Sequence, residues 1–433
     1  MMKKIFTTFF ICGFLFFGQT TNQLSALDFS SSVTDFFYDY VDPNEGTTSF
    51  RSLLIPFGGK AESLGNAFTG LCDDISFLSF NPAGSSIQKE TQFAVFHNSW
   101  ISDSNYETIA YTTRFNNFGF GVQASCFYVP FTEYNIFGDR TAGSYYTETT
   151  GCINLSYNLL NGYNFKGLAI GLNLKGSWRG VPNYADNNTN QIIENSGLNQ
   201  SALGLMADFG FLFRFNLLKF YNSREANVKV GFSARNLGVA LTNFGSNSGV
   251  KLDDPLPTIL AAGISITLLE PITLSFDFKQ PINIFDFSTY LLPSFSVGFS
   301  FSFTTFFSML IGAEIKGGNP KISAGAEFQL SQLRMNLNYT LDLTSSVTPL
   351  NRISLSGKIM LGDRGRHIID QQVDEYYMEG LKLYSNAQWQ EAIQIWEQVL
   401  KLNKRFDPAI LGIESARAQI NMFENIKNSL KLE

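Results

Sequence analysis

Few residues of this chain are equipped for covalent chemistry. Its two histidines, His97 and His367, stand far apart. No Ser/His/Asp set, phosphate-cradling glycine loop or zinc-ligand spacing accompanies them. Asp73-Asp74 is an acidic pair that invites a metal or acid–base reading. Neighbouring residues of extended chain point different ways, however, and no third ligand lies nearby. Enzymatic activity, a metal and a cofactor are therefore not expected. Cys72, Cys126 and Cys152 complete the reactive inventory downstream of a leader. Cys126 shares the parity of Phe120, Val122 and Tyr128, whereas Cys152 shares that of Asn154 and Ser156. Paired side chains on adjacent strands share a face, so these two are not expected to bond.

What remains is recognition without bond-making. Asn81-Pro82-Ala83-Gly84 has the makings of a fixed turn: Pro82 presets φ, Gly84 permits φ > 0 and Asn81 can bond its own backbone. The segment before it is apolar, with Leu64, Phe68, Leu71, Ile75, Phe77, Leu78 and Phe80. Leu64, Phe68, Leu71, Phe77 and Leu78 are candidates to line a cavity for an apolar ligand, although packing alone also accounts for them. Four basic residues, Lys175, Arg179, Arg214 and Arg235, are candidates for a charged site farther along.

The elements that must position these residues are strands. From Gln92 to Leu361 the sequence alternates apolar and polar residues about fourteen times, most cleanly at Arg334–Leu343. There Met335, Leu337, Tyr339, Leu341 and Leu343 take one parity, and Arg334, Asn336, Asn338, Thr340 and Asp342 the other. Successive strand residues face opposite sides, so each strand divides an apolar medium from a polar one. The composition agrees: 43 Phe and 17 Tyr accompany only 16% charged residues, yet mean hydropathy is zero. Aromatics facing lipid around a polar lumen produce that cancellation. A net charge of −6 argues against a nucleic-acid partner.

Strands are expected at 91–98, 105–114, 117–129, 147–158, 165–178, 201–215, 226–236, 257–268, 271–280, 292–302, 305–316, 321–330, 333–342 and 351–361. Links after even-numbered strands are mostly short, with 216–225 the exception. The longest, 130–146, 179–200 and 237–256, follow odd-numbered strands. Outer-membrane barrels alternate tight periplasmic turns with long outer loops in this way. A soluble β-sandwich gives no reason for the alternation. Lys3-Lys4, the apolar run Ile5–Phe17 and Leu24-Ser25-Ala26 read as a signal peptide over 1–26. The expected architecture is an all-β transmembrane barrel of about 14 antiparallel strands at 90–362 in a bacterial outer membrane. A lead-in and plug occupy 27–89, with a helix at Ala61–Thr69. A helical tail occupies 363–433, and an even strand count puts plug and tail on the periplasmic side.

Ser63-Leu64-Gly65-Asn66-Ala67-Phe68-Thr69-Gly70, followed by Asp73-Asp74 and Asn81-Pro82-Ala83-Gly84, resembles the N-terminal signature of the FadL-type outer-membrane transporters of long-chain fatty acids and other hydrophobic compounds. Asn236-Leu237-Gly238 and Leu256-Pro257-Thr258 resemble elements of the PorV-like relatives. The resemblance implies a 14-stranded barrel blocked by an N-terminal hatch, with ligand leaving sideways through the wall. From the residues themselves, a shift around Asn81–Gly84 is expected to release the ligand, either laterally into the membrane or toward the periplasm. A basic cluster to hold a fatty-acid carboxylate has no clear counterpart here. Inward Lys175, Arg214 and Arg235, with Arg179 near a loop, are the available candidates, and lumen networks are the commoner use of such charges.

In the tail, Tyr376, Gly380, Ala387, Trp389, Ala392, Trp396 and Leu400 match a tetratricopeptide repeat by type and spacing. Gly380 and Ala392 allow two helices to approach, Ala387 sits at their turn, and Pro408 opens a third helix over Ala409–Ile426. So short an array must rest on itself, on the barrel rim or on a periplasmic protein. Two functions follow. One is passive uptake of hydrophobic molecules, with membrane lipid and an apolar ligand as partners. The alternative is a PorV-like scaffold that binds secreted or periplasmic proteins through its loops and tail.

Overall fold

The computed structural model describes residues 42–430 apart from 102, 136, 161, 163–164, 182–200, 222, 243–250, 253 and 344–349. The leader and most of the 179–200 loop lie outside the described residues. A plug precedes the barrel: helix α1 (Gly59–Ser63) and two 3-10 turns, Ile75–Ser79 and Pro82–Ile87. The strands are β1 (Gln92–Ser99), β2 (Asn105–Phe115), β3 (Phe118–Tyr134), β4 (Arg140–Leu159), β5 (Phe165–Gly180), β6 (Ala202–Phe215), β7 (Val228–Thr242) and β8 (Lys251–Leu252). They continue as β9 (Thr258–Leu269), β10 (Ile272–Ile282), β11 (Ser294–Ser302), β12 (Phe307–Lys316), β13 (Asn319–Leu330), β14 (Leu333–Asp342) and β15 (Leu350–Met360). Helices α2 (Arg366–Ser385), α3 (Trp389–Leu402) and α4 (Asp407–Leu430) follow.

Every neighbouring pair is antiparallel, and β1 pairs with β15 while β7 bridges β6 and β9, so fourteen strands close a ring. The two-residue β8 only extends the end of β7. Alternation sets the two faces. Phe209, Phe211, Phe276, Phe278, Phe295, Ile353 and Leu355 are exposed on the outside, an apolar belt suited to bilayer hydrocarbon. Asn154, Asn173, Asp208, Asp277 and Lys358 are buried inside. Among the described residues no helix is long and apolar enough to cross a membrane.

All fourteen expected strands are present, with differences at their ends. The loop expected at 130–146 is mostly strand: β3 and β4 stay paired up to Tyr134 and Arg140. The Asn135 side chain closes the tip, accepting from the amides of Phe137 and Asp139. The helix expected over Ala61–Thr69 is a single turn, Gly59–Ser63. Gly65 (φ 60°) and Asn66 (φ 62°) enter the left-handed region and end it.

Asp42 accepts from the Leu292 amide and Ser49 donates its amide to Pro255 O, both at the long-loop end. The chain then descends through the lumen, and Thr91 reaches Gly362 at the tight-turn end. The described start of the plug therefore lies at the opposite end from the helices, whereas the sequence placed plug and tail on one side. The helices dock under the tight turns. Arg224 in the long 216–227 turn pairs with Asp370 and Asp374, one turn apart on α2. Arg366 donates to the carbonyls of Arg114 and Lys89. The Arg224 ion pairs give the long 216–225 link a contact with the helical tail.

Tail packing follows the spacing. A Cβ on Gly380 would stand 2.2 Å from Trp396 Nε1, so α2 and α3 approach this closely only over glycine. Trp396 Nε1 donates to Tyr377 O. Ala392 is buried, Leu400 and Tyr376 pack beside it, Ala387 turns at φ 60°, and Trp389 meets Phe423 of α4.

Candidate functional site: the junction of plug and barrel wall

The plug has an apolar centre. Leu64, Phe68, Leu71, Phe77 and Leu78 are at most 4% exposed and pack with Phe57, Ile75, Phe80 and Ala83. Wall residues Phe96, Tyr106, Ala169, Leu212 and Leu310 complete this cluster. The five candidate ligand contacts thus touch one another and the wall, and opening a site among them requires the plug to move.

Most of the closest contacts between wall and plug are to plug backbone. A Cβ on Gly171 would lie 2.2 Å from Pro82 O, on Gly210 2.1 Å from Asn81 Oδ1, on Gly231 2.1 Å from Thr69 O, and on Gly312 2.0 Å from Gly65 N. Inward glycines on β5, β6, β7 and β12 therefore form sockets into which the plug chain is pressed; any side chain there would displace it. The inward glycines are visible in the sequence, but which ones meet the plug is set by long-range closure.

Asn81–Gly84 sits in these sockets. Asn81 Oδ1 accepts from the Ala83 amide at 3.1 Å, the self-bond expected of it. Its Nδ2 donates to Thr69 O at 2.9 Å and Phe211 O at 3.0 Å, tying two plug segments to β6. Pro82 opens the 3-10 turn. Gly84 is not among the positive-φ residues, contrary to expectation. Its need is space: a Cβ would fall 2.3 Å from Phe77 Cγ.

A polar girdle on the wall holds this turn. Asn154 donates to Pro82 O (2.8 Å) and to Asn173, and Asn173 donates to Leu78 O (2.9 Å) and to Asp208. Lys175 pairs with Asp208 and donates to Asn236. The two elements Asn236–Gly238 and Leu256–Thr258 meet here, since Asn236 Nδ2 donates to Pro257 O and Thr258 Oγ1 to Asn236 O. A register shift between Ala207 and Phe209 leaves Asp208 facing the Asn236 amide, which it accepts at 2.7 Å. Arg235 donates to Ser79 O and lies over the Phe80 ring. Arg214 donates to Lys166 O near the tight turns, and Arg179 reaches Ser49 and Phe50 at the other end. The four basic candidates are thus spread along the lumen instead of converging.

Sequence reasoning passed over the ion pairs between plug and wall. Asp74 caps Ser76 and pairs with Lys358, both fully buried. Asp73 pairs instead with Lys60, so the acidic doublet splits between two partners. Glu62 faces Arg352, itself paired with Asp342. Asp277 accepts the amides of Phe68 and Thr69. Inward polar parity was the available signal, but not the pairing. Among the described residues no three His, Cys, Asp or Glu cluster as a metal site. Cys72, Cys126 and Cys152 are free thiols, and Cys126 and Cys152 lie on opposite faces of β3 and β4 as their parities imply.

Among solved structures, the chain is similar to the CymD monoaromatic hydrocarbon channel: 13% identity, TM-score 0.47, covering 70% of this chain and 97% of that one. It is also similar to a Pseudomonas aeruginosa FadL homologue: 10% identity, TM-score 0.41, covering 70% and 98%. One Treponema pallidum protein, described as a UPF0164 protein, is 29% identical over 391 residues, 88% of this chain and 85% of that relative. A second from the same organism is 26% identical over 87% of this chain and 77% of its own length. The model of an uncharacterised protein family, UPF0164, matches residues 32–364, which take in the plug and the whole barrel, and the chain belongs to that family.

Proposed function

We propose that this protein is an outer-membrane channel for hydrophobic small molecules, with long-chain fatty acids as a test class, gated by the N-terminal plug. The observation that carries the reading is the apolar cluster of Phe57, Leu64, Phe68, Phe77 and Leu78 in the middle of a lumen whose wall is largely polar outside the apolar patches at Phe96, Leu212 and Leu310 and at Met206 and Leu256. A pore for ions or sugars has no use for so greasy a stopper, whereas an apolar solute gains from meeting it. In this reading the ligand enters from the long loops, assigned to the cell exterior. It displaces aromatic contacts of the plug and is released as Asn81–Gly84 leaves its glycine sockets. The tight turns and the helices α2–α4 face the periplasm.

Saturable binding of a fluorescent long-chain fatty acid to the refolded full chain tests this. Binding should weaken in Phe77→Ala and Phe68→Ser, both judged folded by heat-modifiable migration. A folded chain that binds no such probe overturns the reading. A PorV-like scaffold is the second reading. It is favoured by the cleft of about 430 Å3 in the tail, lined by Tyr377, Tyr384, Trp396 and Leu411, which suits a periplasmic protein.

A further inference from the structure

Residues 42–57 cross the lumen at the long-loop end. The Asp42 carboxylate accepts the Leu292 amide and Asn44 Nδ2 donates to Tyr290 O, both just ahead of β11. Glu45 pairs with Lys316 at the end of β12. The Ser49 amide donates to Pro255 O ahead of β9, and its hydroxyl accepts from Arg179 near the end of β5 at 3.0 Å. The Ser52 amide donates to Glu148 of β4, and Pro56 O accepts from Asn98 of β1 at 2.8 Å. The segment thus passes from the β11–β12 side of the mouth to β1. It has two sides. Glu45, Gly46, Thr47, Arg51 and Leu54 are exposed, whereas Asp42, Ser49, Phe50, Ser52 and Phe57 are buried.

Phe50 is the anchor of this crossing. It is 1% exposed and packs with Ala202 and Met206 of β6, Ala240 of β7 and Leu256. The Arg179 guanidinium lies 5.4 Å from its ring centroid, a cation–π contact. This apolar cluster is separate from that of the plug, which takes in Phe57 and the residues beyond it. Phe50 has φ 50° and ψ 52°, a left-handed conformation uncommon for a bulky residue. Burial of the ring is what holds it there.

We infer that residues 42–57 are a lid over the mouth at the long-loop end, latched by Phe50 in its apolar socket and working in series with the plug. Lifting the lid exposes both ring and socket to water, which keeps it down in water alone. An apolar solute that takes the ring's place in the socket removes that penalty, whereas ions and sugars gain nothing there. The latch stands on the contacts of Phe50 by themselves; its response to a solute rests on the hydrophobic-channel reading.

The test uses the full chain with Cys72, Cys126 and Cys152 changed to Ala and one reporter thiol, Ser49→Cys, on the buried side of the lid. Modification by a charged methanethiosulfonate follows access to the thiol. Adding Phe50→Ser should speed it roughly tenfold, and Arg179→Gln, a milder change at the same latch, should speed it less. A second reporter, Leu212→Cys in the plug cluster, should keep its slow rate in both variants. With Phe50 in place, oleate should speed modification of Ser49→Cys several-fold. Rates at Ser49→Cys that neither variant changes would overturn the lid, and so would Leu212→Cys speeding in step with Ser49→Cys. Faster modification in Phe50→Ser without any response to oleate would support the latch and count against the hydrophobic-channel reading instead.

Discussion

Placing a valine at Gly210 tests whether the sockets hold the plug. The added Cβ would stand 2.1 Å from Asn81 Oδ1 and 2.7 Å from Pro82 Cδ, closer than any Cβ tolerates. The wall strand is held by ladders to both neighbours, so the plug is the part that gives. Asn81 then loses its bonds to Thr69 O and Phe211 O, about 1 kcal/mol each, and overpacking adds about 1–3 kcal/mol. The sum, about 3–5 kcal/mol, raises the population of displaced plug by roughly two to three and a half orders of magnitude, at 1.4 kcal/mol per decade. Hydrogen exchange over residues 64–88 in the refolded barrel reads that population. Gly357→Ala is the control, because its Cβ meets nothing within 4 Å. If Gly210→Val exchanges no faster than Gly357→Ala, the socket account is refuted.

Lys358→Met strands the fully buried Asp74 carboxylate and should cost about 3–5 kcal/mol in denaturant unfolding; the double variant with Asp74→Asn should recover much of it. Trp396→Ala removes the residue that packs against Gly380, Tyr377 and Tyr384. It should cost the tail about 3–5 kcal/mol and reduce helical circular dichroism while the barrel's heat-modifiable migration is unchanged. Asp363 accepts the His367 and Gly365 amides at the start of α2, and these bonds, His367's first, hold its carboxyl below the usual range. A lowered folded-state value means the stabilisation is present above the ordinary carboxylate range and lost as pH falls through the lowered value. Amide exchange in the first turn of α2 should therefore quicken in acid, beyond the intrinsic pH trend, and Asp363→Asn should abolish that extra dependence.

The barrel was legible because its two solvents impose opposite chemistries on alternate residues. Arg334–Leu343 carries that record in every position. The tail was legible for a similar reason, since Gly380 and Trp396 sit where two helices must touch. The plug was less so. Ala61–Thr69 has helical residues, but Gly65 and Asn66 break the turn because Gly65 must pass against Gly312. Gly84 reads locally as a φ > 0 residue, whereas the constraint is the Phe77 ring. Pairings such as Asp74–Lys358, separated by 284 positions, depend on barrel closure, and no local pattern encodes them.

Locking the plug tests gating most directly. Ser85 on the plug and Ser156 on β4 have their hydroxyl oxygens 2.7 Å apart, so Ser85→Cys with Ser156→Cys, in a background without the native cysteines, should form a disulfide. Uptake of a fluorescent long-chain fatty acid into proteoliposomes is then followed with this protein oxidised and after reduction. The account predicts little uptake when oxidised and recovery on reduction to the level of the unlocked barrel. Equal uptake in both states, or none after reduction, would contradict it.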